Sequence, residues 1–333
     1  MLDIVYNHLG PEGNYVAEFA PYFTDACPTP WGSAINFDGP GSDGVRAFFV
    51  EKALYWLREF HIDALRLDAV HGIFGSSAQH FLDELSDSFH AEALHLNRKA
   101  WLIAESNQND ARLARARRGG YGIDAVWSYD FHHSLHASLT GAAHLYLGDS
   151  RPFEDLGKAL REGFVYDGRI YWFRQKHYGS PSGALPGKSF VVFMQNHDQV
   201  GNTWLGRRMS ELVSPAEYRV AAALLLFSPY LPLLFMGEEY GESAPFLFAM
   251  MRGRRGAVSW RTGREIIPFA CNCSRKARHS RNFTFPLCHF HSSNSQSVLA
   301  RSVMLSEERS PVTCRMRSIS AAENRRPPNW RSA

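Results

Sequence analysis

Two charged residues, Arg66 and Asp68, stand two positions apart in the otherwise apolar stretch IDALRLDAVH (62–71). Side chains of a β-strand alternate between its two faces, so this pair should point to one side while Leu65 and Leu67 point to the other. Charged groups are rarely buried without partners, and such groups often mark functional sites. The pair is either a structural ion pair or part of an active site, and this stretch alone does not decide between them.

Three further apolar stretches end in polar residues that could join the same chemistry: LDIVYNH (2–8), WLIAES (101–106) and SFVVFMQNHD (189–198). Each is typical of a short strand, and helix-like segments alternate with them, which predicts βα units and parallel strands. Ligands of parallel sheets bind at the carboxyl ends of the strands. Polar endings on at least four strands favour a (β/α)8 barrel, because a doubly wound sheet concentrates its site at one switch point.

The elements between these stretches can be predicted from periodicity and capping signals. Apolar residues from Val45 to Phe60 recur at helical spacing, and Ser42 or Asp43 would cap that helix. A second helix is expected over about 78–94. Ser214 and Glu217 form a capping-box signal at the start of a third.

Two other segments, GIDAVWSYDF (122–131) and YLPLLFMGEEYG (230–241), are predicted as strands, and 10–44 as a loop. Glu238 and Glu239 could line the cleft or lie in a solvated loop, and we expect the loop. His132 and His133 resemble metal ligands, but adjacent residues of a strand point apart, so no metal site is predicted.

Charge divides the sequence into two unlike parts. Residues 251–333 hold 15 Arg and one Lys against four Glu and no Asp, a balance of +12, whereas the first 250 residues carry −9. No unbroken apolar run reaches the ~18 residues of a membrane span, and the N-terminus lacks the pattern of a signal peptide. An odd number of cysteines, five, does not indicate a disulfide framework. These features predict a cytoplasmic protein.

The basic tail, 248–333, shows neither strand nor helix periodicity, and three interpretations remain open. It is disordered or the product of a shifted reading frame, which is the interpretation we favour. Scattered basic residues could instead bind nucleic acid, although no recognition motif accompanies them. Cysteines and histidines at 271–291 could form a zinc site, but their spacing does not fit common zinc patterns. We therefore expect no nucleic-acid partner.

Taken in order, DIVYNH (3–8), DALRLDAVH (63–71), AES (104–106) and QNHDQVG (195–201) resemble the four characteristic regions of the α-amylase clan of glycoside hydrolases. The resemblance covers roughly residues 1–245 and stops at about residue 247. Within the clan the sequence is most similar to the malto-oligosyltrehalose trehalohydrolases, with the glycogen branching enzymes as the competing family. The stretches that carry this similarity are YNHLGPEGNY, PYFTD, TPWG, DALRLDAVH, FMQNHDQVGN and GEEYGE.

The resemblance implies a retaining glycosidase, in which one carboxylate is the nucleophile and a second carboxyl is the general acid/base. It assigns these roles to Asp68 and Glu105, and a third catalytic carboxylate to Asp198. Arg66 would keep Asp68 ionised, and burial would raise the pKa of Glu105. Substrate-binding roles fall on five residues: Asn7, His8, Arg66, His71 and His197. Asp3 matches an acid that is structural in the clan.

By the same resemblance the substrate is maltooligosyl trehalose or another α-1,4-glucan, and hydrolysis next to the terminal trehalose unit releases trehalose. A functional link to a maltooligosyl trehalose synthase follows, without a physical complex. No cofactor, metal or membrane is implied. Two alternatives stay open: an α-glucan transglycosylase such as a branching enzyme, and a non-catalytic remnant that binds glucans.

The six expected strands correspond to strands three to eight of the family barrel, and the first two βα units have no counterpart. Residues 1–247 are accordingly expected to form a partial (β/α)8 catalytic barrel. Such a sheet has two unpaired edges and an open core. The chain is therefore expected to be poorly soluble and weakly active or inactive.

Overall fold

The structure is a computed structural model that describes residues 1–10, 13–29, 32–116, 119–143, 145–183 and 185–247. The basic tail, 248–333, and the predictions made for it lie outside the described residues. The helices are α1 Ser42–Glu59, α2 Phe81–His95, α3 Tyr129–Thr140, α4 Pro152–Glu162, α5 His197–Gly201 and α6 Pro215–Leu226. The strands are β1 Leu2–Ile4, β2 Phe23–Thr29, β3 Gly32–Ile35, β4 Ala64–Leu67, β5 Trp101–Ala104, β6 Ala125–Trp127, β7 Asp167–Tyr171, β8 Lys176–Gly179, β9 Phe190–Phe193 and β10 Leu231–Leu233.

Six of the strands form one parallel sheet in the order β1-β4-β5-β6-β9-β10. Neighbours in the sheet follow the order of the chain, with no reversal. A doubly wound sheet would reverse its order at the switch point, whereas successive βα units of a barrel do not. The carboxyl ends of all six strands therefore lie along one edge of the sheet.

The two faces of this sheet bury different sets of side chains. On one face Leu65 and Leu67 of β4 join the main hydrophobic core, which the helices complete. On the other face Trp127, Phe193 and neighbouring apolar residues form a second, smaller cluster. Arg66 lies on this second face, with its guanidinium 4.3 Å from the centre of the Trp127 ring. The alternation predicted for 62–68 is thus confirmed.

Helix ends follow the sequence signals only in part. The capping box at α6 is confirmed, since Ser214 accepts from the Glu217 N–H and the Glu217 side chain accepts from the Ser214 N–H. The caps proposed for α1 are wrong: its N-cap is Gly41, in the left-handed region at φ 75°, and no side chain caps the helix. Glycine takes this conformation at little steric cost, whereas a Cβ at position 41 would lie 2.8 Å from Cγ of Pro21.

Two small antiparallel hairpins and one helix differ from the sequence predictions. The predicted loop 10–44 contains the hairpin β2–β3, and α4 with the hairpin β7–β8 was not predicted. The predicted strand 122–131 is strand only over β6, and α3 begins at Tyr129. The predicted strand 230–241 is reduced to β10. None of the helices in the described ranges is long and apolar enough to cross a membrane.

Candidate active site

Arg66 is the centre of the charged cluster at the carboxyl end of β4. Its Nη1 donates to Asp3 Oδ1 and to Asp68 Oδ1, both at 2.7 Å. Its Nη2 lies 3.7 Å from Oε2 of Glu105. Burial alone would lower the pKa of Arg66, but the charges of Glu105, Asp3 and Asp68 outweigh this and raise it. One guanidinium therefore links carboxyl groups from three neighbouring strands.

Asn7, which follows β1, holds Asp68 from the other side. Its Nδ2 donates to the backbone oxygen of Asp68 at 2.7 Å and to Oδ2 at 2.9 Å. Asn7 is fully buried, and its own Oδ1 is hydrogen-bonded to Nδ1 of His8. Both carboxylate oxygens of Asp68 thus accept hydrogen bonds, one from Arg66 and one from Asn7, and these bonds fix the orientation of the carboxylate.

Glu105 directly follows β5 and is buried, with 6% of its surface exposed. Burial raises the pKa of Glu105 to about 7; the Arg66 charge opposes this rise, and the nearby charges of Asp68 and Asp198 add to it. Its Oε1 accepts from the Tyr129 hydroxyl at 2.9 Å. Its Oε2 accepts from the Ala69 N–H at 2.5 Å. This carboxyl can therefore carry a proton near neutral pH.

Asp198 and His197 lie in the short helix α5, just beyond β9. Asn196 caps this helix by accepting from the Gln199 N–H at 2.8 Å. Burial raises the pKa of Asp198, against the opposing charges of His197 and Arg66. Nε2 of His197 lies 3.5 Å from Oδ2 of Asp198, and the His197 ring is 6.4 Å from that of Trp127.

His71 lies in the 3₁₀ turn Val70–Gly72 after β4. Burial lowers the pKa of His71 to about 4, with the positive charge of Arg174 adding to this effect and Asp68 opposing it. The imidazole is therefore neutral at physiological pH. The structure thus places every residue that the sequence assigned to catalysis or binding at the carboxyl ends of β1, β4, β5 and β9.

Sequence reasoning missed two residues of this region, Tyr129 and Trp127, and also the burial of Glu238, which follows β10. Tyr129 was predicted inside a strand, although Ser128 and the helical spacing of Phe131 and Leu135 were a signal for a helix start. Trp127, under Arg66, carried no signal of its own. Glu238 was expected in a solvated loop, but it is 6% exposed and its Oε2 accepts from the Phe235 N–H at 3.0 Å.

The two histidines that resembled metal ligands lie on α3, not on a strand. His132 Nδ1 donates to the Met194 carbonyl at 2.6 Å. Burial lowers the pKa of both His132 and His133, to about 3 for His133, so both rings are neutral. Within the described ranges, no group of three or more His, Cys, Asp or Glu side chains could hold a metal ion.

The arrangement combines two kinds of carboxyl group in one place. Asp68 is held by hydrogen bonds from Arg66 and Asn7, whereas Glu105 is buried, which raises its pKa. Carboxyl pairs whose surroundings differ in this way divide into a nucleophile or electrostatic partner and a general acid/base. The site is therefore suited to acid/base chemistry on a substrate that enters from the carboxyl edge of the sheet.

Comparison with known proteins gives a consistent result. The chain is 47% identical over 276 residues to the malto-oligosyltrehalose trehalohydrolase of Saccharolobus solfataricus, which covers 80% of this chain and 48% of the relative. The solved structure of a Salmonella typhimurium protein assigned as an alpha amylase matches with a TM-score of 0.69 and 42% identity. That match covers 76% of this chain and 43% of the other. No protein-family model matches the chain.

The branching enzyme GlgB of Pseudoalteromonas atlantica is more distant, at 28% identity over 276 residues, 73% of this chain and 34% of the relative. The order of the parallel strands and the likeness to the alpha amylase structure identify the described sheet as part of a (β/α) barrel. The chain spans about half the length of the curated trehalohydrolases it matches.

Proposed function

We propose that this chain, which is related to the malto-oligosyltrehalose trehalohydrolases of the α-amylase family, carries the catalytic residues for hydrolysis of maltooligosyl trehalose. The bond cleaved is the α-1,4-glucosidic bond next to the terminal trehalose unit. The proposal is carried by the position of the Arg66 guanidinium between the two proposed catalytic carboxyl groups. It bonds to Asp68 at 2.7 Å and approaches Glu105 at 3.7 Å, two carboxyls that differ in burial and in hydrogen bonding.

In the first step, Asp68 attacks the anomeric carbon of the sugar on the non-reducing side of the scissile bond. Glu105 gives its proton to the glycosidic oxygen, and trehalose leaves with that oxygen. A covalent glycosyl ester on Asp68 remains. Burial raises the pKa of Glu105 to about 7, which supports its role as the acid of this step.

In the second step, the carboxylate of Glu105 removes a proton from water, and the resulting hydroxyl attacks the same anomeric carbon. The ester bond to Asp68 breaks, and the maltooligosaccharide leaves with retained configuration. Asp198 would hold sugar hydroxyls and stabilise the positive charge of the transition state. His8, His71 and His197, with Asn7, would line the subsite of the sugar that reacts.

We also propose that the six parallel strands are the third to eighth of an eight-stranded barrel. Support comes from the two outer strands, β1 and β10, each of which has one unpaired edge among the described residues. Large apolar side chains in or next to these strands in the chain are exposed, namely Val5 after β1, and Leu231, Leu234 and Met236 in or after β10. A cytoplasmic location and a functional link to a maltooligosyl trehalose synthase belong to the same proposal.

The test is incubation of the purified chain with maltooligosyl trehalose, in parallel with a version extended at its N-terminus by two βα units from a trehalohydrolase. We expect free trehalose from the extended chain at a rate well above that of the chain alone. Glu105→Gln in the extended chain should abolish release. New α-1,6 branches would instead support a transglycosylase, and glucan binding without turnover, unchanged by Glu105→Gln, would support a non-catalytic role.

A further inference from the structure

Tyr129 contacts the carboxyl group of Glu105, and no role has so far been given to it. Resting on the proposed function, we propose that Tyr129 is a positioning residue that fixes the Glu105 carboxyl so that its transferable proton is carried by Oε1. Three features support this assignment: the donors around Oε2, the turn that supplies one of them, and the environment of the Tyr129 ring.

The surroundings of Oε2 exclude the proton from that oxygen. The Ala69 N–H donates to Oε2 at 2.5 Å, and Nη2 of Arg66 lies 3.7 Å away. A backbone amide N–H and a guanidinium can donate hydrogen bonds but cannot accept them. A proton on Oε2 would therefore face two donors, so the protonated form of Glu105 carries its proton on Oε1.

The turn after β4 is built to hold Glu105 in this orientation. Ala69 has φ 40° and ψ 49°, in the left-handed region that non-glycine residues rarely adopt. Two successive amides of this turn bind the same residue. The Ala69 N–H reaches the Glu105 side chain, and the Val70 N–H donates to the Glu105 backbone oxygen at 3.0 Å. The carboxyl can thus rotate little about its own axis.

Oε1 has a partner of a different kind. The hydroxyl of Tyr129 donates to it at 2.9 Å, and a hydroxyl, unlike a backbone N–H, can also accept a hydrogen bond. The Tyr129 ring packs edge-on against Phe193, with centroids 5.4 Å apart, and the residue is 8% exposed. Burial raises the pKa of Tyr129 well above its usual range, so it remains a neutral donor.

The hydroxyl therefore occupies one side of Oε1 and leaves the other side for the proton that goes to the glycosidic oxygen. It also stabilises the carboxylate that remains after transfer, which lowers the pKa of Glu105 and opposes burial. Removal of the hydroxyl should raise that pKa and loosen the carboxyl, while the other contacts of Glu105 stay in place.

The test is measurement of the Glu105 pKa by difference infrared spectroscopy, with the carboxyl band identified by its loss in Glu105→Gln. In Tyr129→Phe we expect the pKa to rise by about one pH unit, the usual effect of one hydrogen bond to a charged group. Tyr230→Phe is the matched control, because its buried hydroxyl donates to the carbonyls of Ala159 and Leu160, away from Glu105. An unchanged Glu105 pKa in a folded Tyr129→Phe overturns the proposal.

If Tyr129→Phe does not fold, 3-fluorotyrosine can be placed at position 129, because this side chain has nearly the same shape as tyrosine. Its hydroxyl is a stronger donor, so the Glu105 pKa should fall; an unchanged value overturns the proposal. In the extended, active chain, Tyr129→Phe should lower kcat more than it raises KM and move only the basic limb of the pH profile upward. The two proposals can fail separately. If the infrared band shifts but neither the chain nor its extended version hydrolyses the substrate, the proposed function is contradicted, whereas the contact by which Tyr129 positions the Glu105 carboxyl is still supported.

Discussion

The amide of Asn7 donates to both the backbone oxygen and the carboxylate of Asp68, at 2.7 and 2.9 Å. Asn7 follows β1 and Asp68 follows β4, and these strands are neighbours in the sheet. A residue that the resemblance assigned to substrate binding therefore contacts the proposed nucleophile itself. This contact fixes the direction in which one oxygen of Asp68 points, while Arg66 fixes the other.

Asn7→Ala should lower the free energy of unfolding by about 1–3 kcal/mol, because it leaves a partly buried oxygen of Asp68 without its donor. Urea unfolding of the chain measures this directly. Asn14→Ala is the matched control: Asn14 is half-buried and accepts a long bond, 3.3 Å, from the Val16 N–H. We expect a change within about 0.5 kcal/mol there. Equal effects of the two substitutions would show that the Asn7 contact does not stabilise the site.

Arg66→Met should be the most destabilising single change at the site, at about 3–5 kcal/mol. The guanidinium is almost fully buried, and its removal leaves Asp3, Asp68 and Glu105 close together without a positive charge. Because the Arg66 charge opposes the raised pKa of Glu105, that pKa should rise further in the variant.

Arg58→Met is the control for this prediction. Arg58 bonds to Glu51 at 2.8 Å and lies 3.2 Å from Glu92 of α2, and 35% of its side chain is exposed. Exposed ion pairs contribute about 0–1 kcal/mol. Chemical unfolding of both variants at one pH gives the comparison. If Arg66→Met unfolds at the same urea concentration as the unmodified chain, the cluster does not hold the strand ends together.

The sequence predicted the strands of the sheet because their signals are local. Alternating charged and apolar residues at 62–68 need only the period of a strand, and a polar ending marks where the strand reaches the open edge of the sheet. The capping box at Ser214 is likewise contained within four residues. The same reasoning placed all of the proposed catalytic carboxyls at that edge.

Other features depended on contacts that are distant in the sequence. Tyr129 reaches Glu105 only because α3 begins directly after β6, whereas the apolar run 122–131 suggested a continuous strand. Glycine at position 41 replaces the polar cap expected for α1. The burial of Glu238 depends on packing of its loop near Gln195 and Arg208, which no local pattern indicates.

The buried carboxyl of Glu238 predicts how stability should vary with pH. Burial raises the pKa of Glu238 from 4.5 to about 7, although Arg208 and the hydrogen bonds from Phe235 and Gln195 oppose the rise, and Glu239 adds to it. The folded chain therefore keeps a proton that the unfolded chain loses between these two pH values. Stability should decrease as the pH rises from about 4.5 to about 7, where the buried group becomes charged.

Glu238→Gln should remove this contribution, because the amide stays neutral at every pH. We expect the variant to be more stable than the unmodified chain at pH 8 by up to about 3.5 kcal/mol, at ~1.4 kcal/mol per pH unit of pKa change, and the two to converge near pH 4.5. Glu105, whose pKa is also raised to about 7, contributes separately to this loss of stability with rising pH. Glu105→Gln should remove that contribution. Urea unfolding at several pH values from 4.5 to 8 measures both. If the free energy of unfolding of Glu238→Gln changed with pH as steeply as that of the unmodified chain, Glu238 would already be charged in the folded protein across this range.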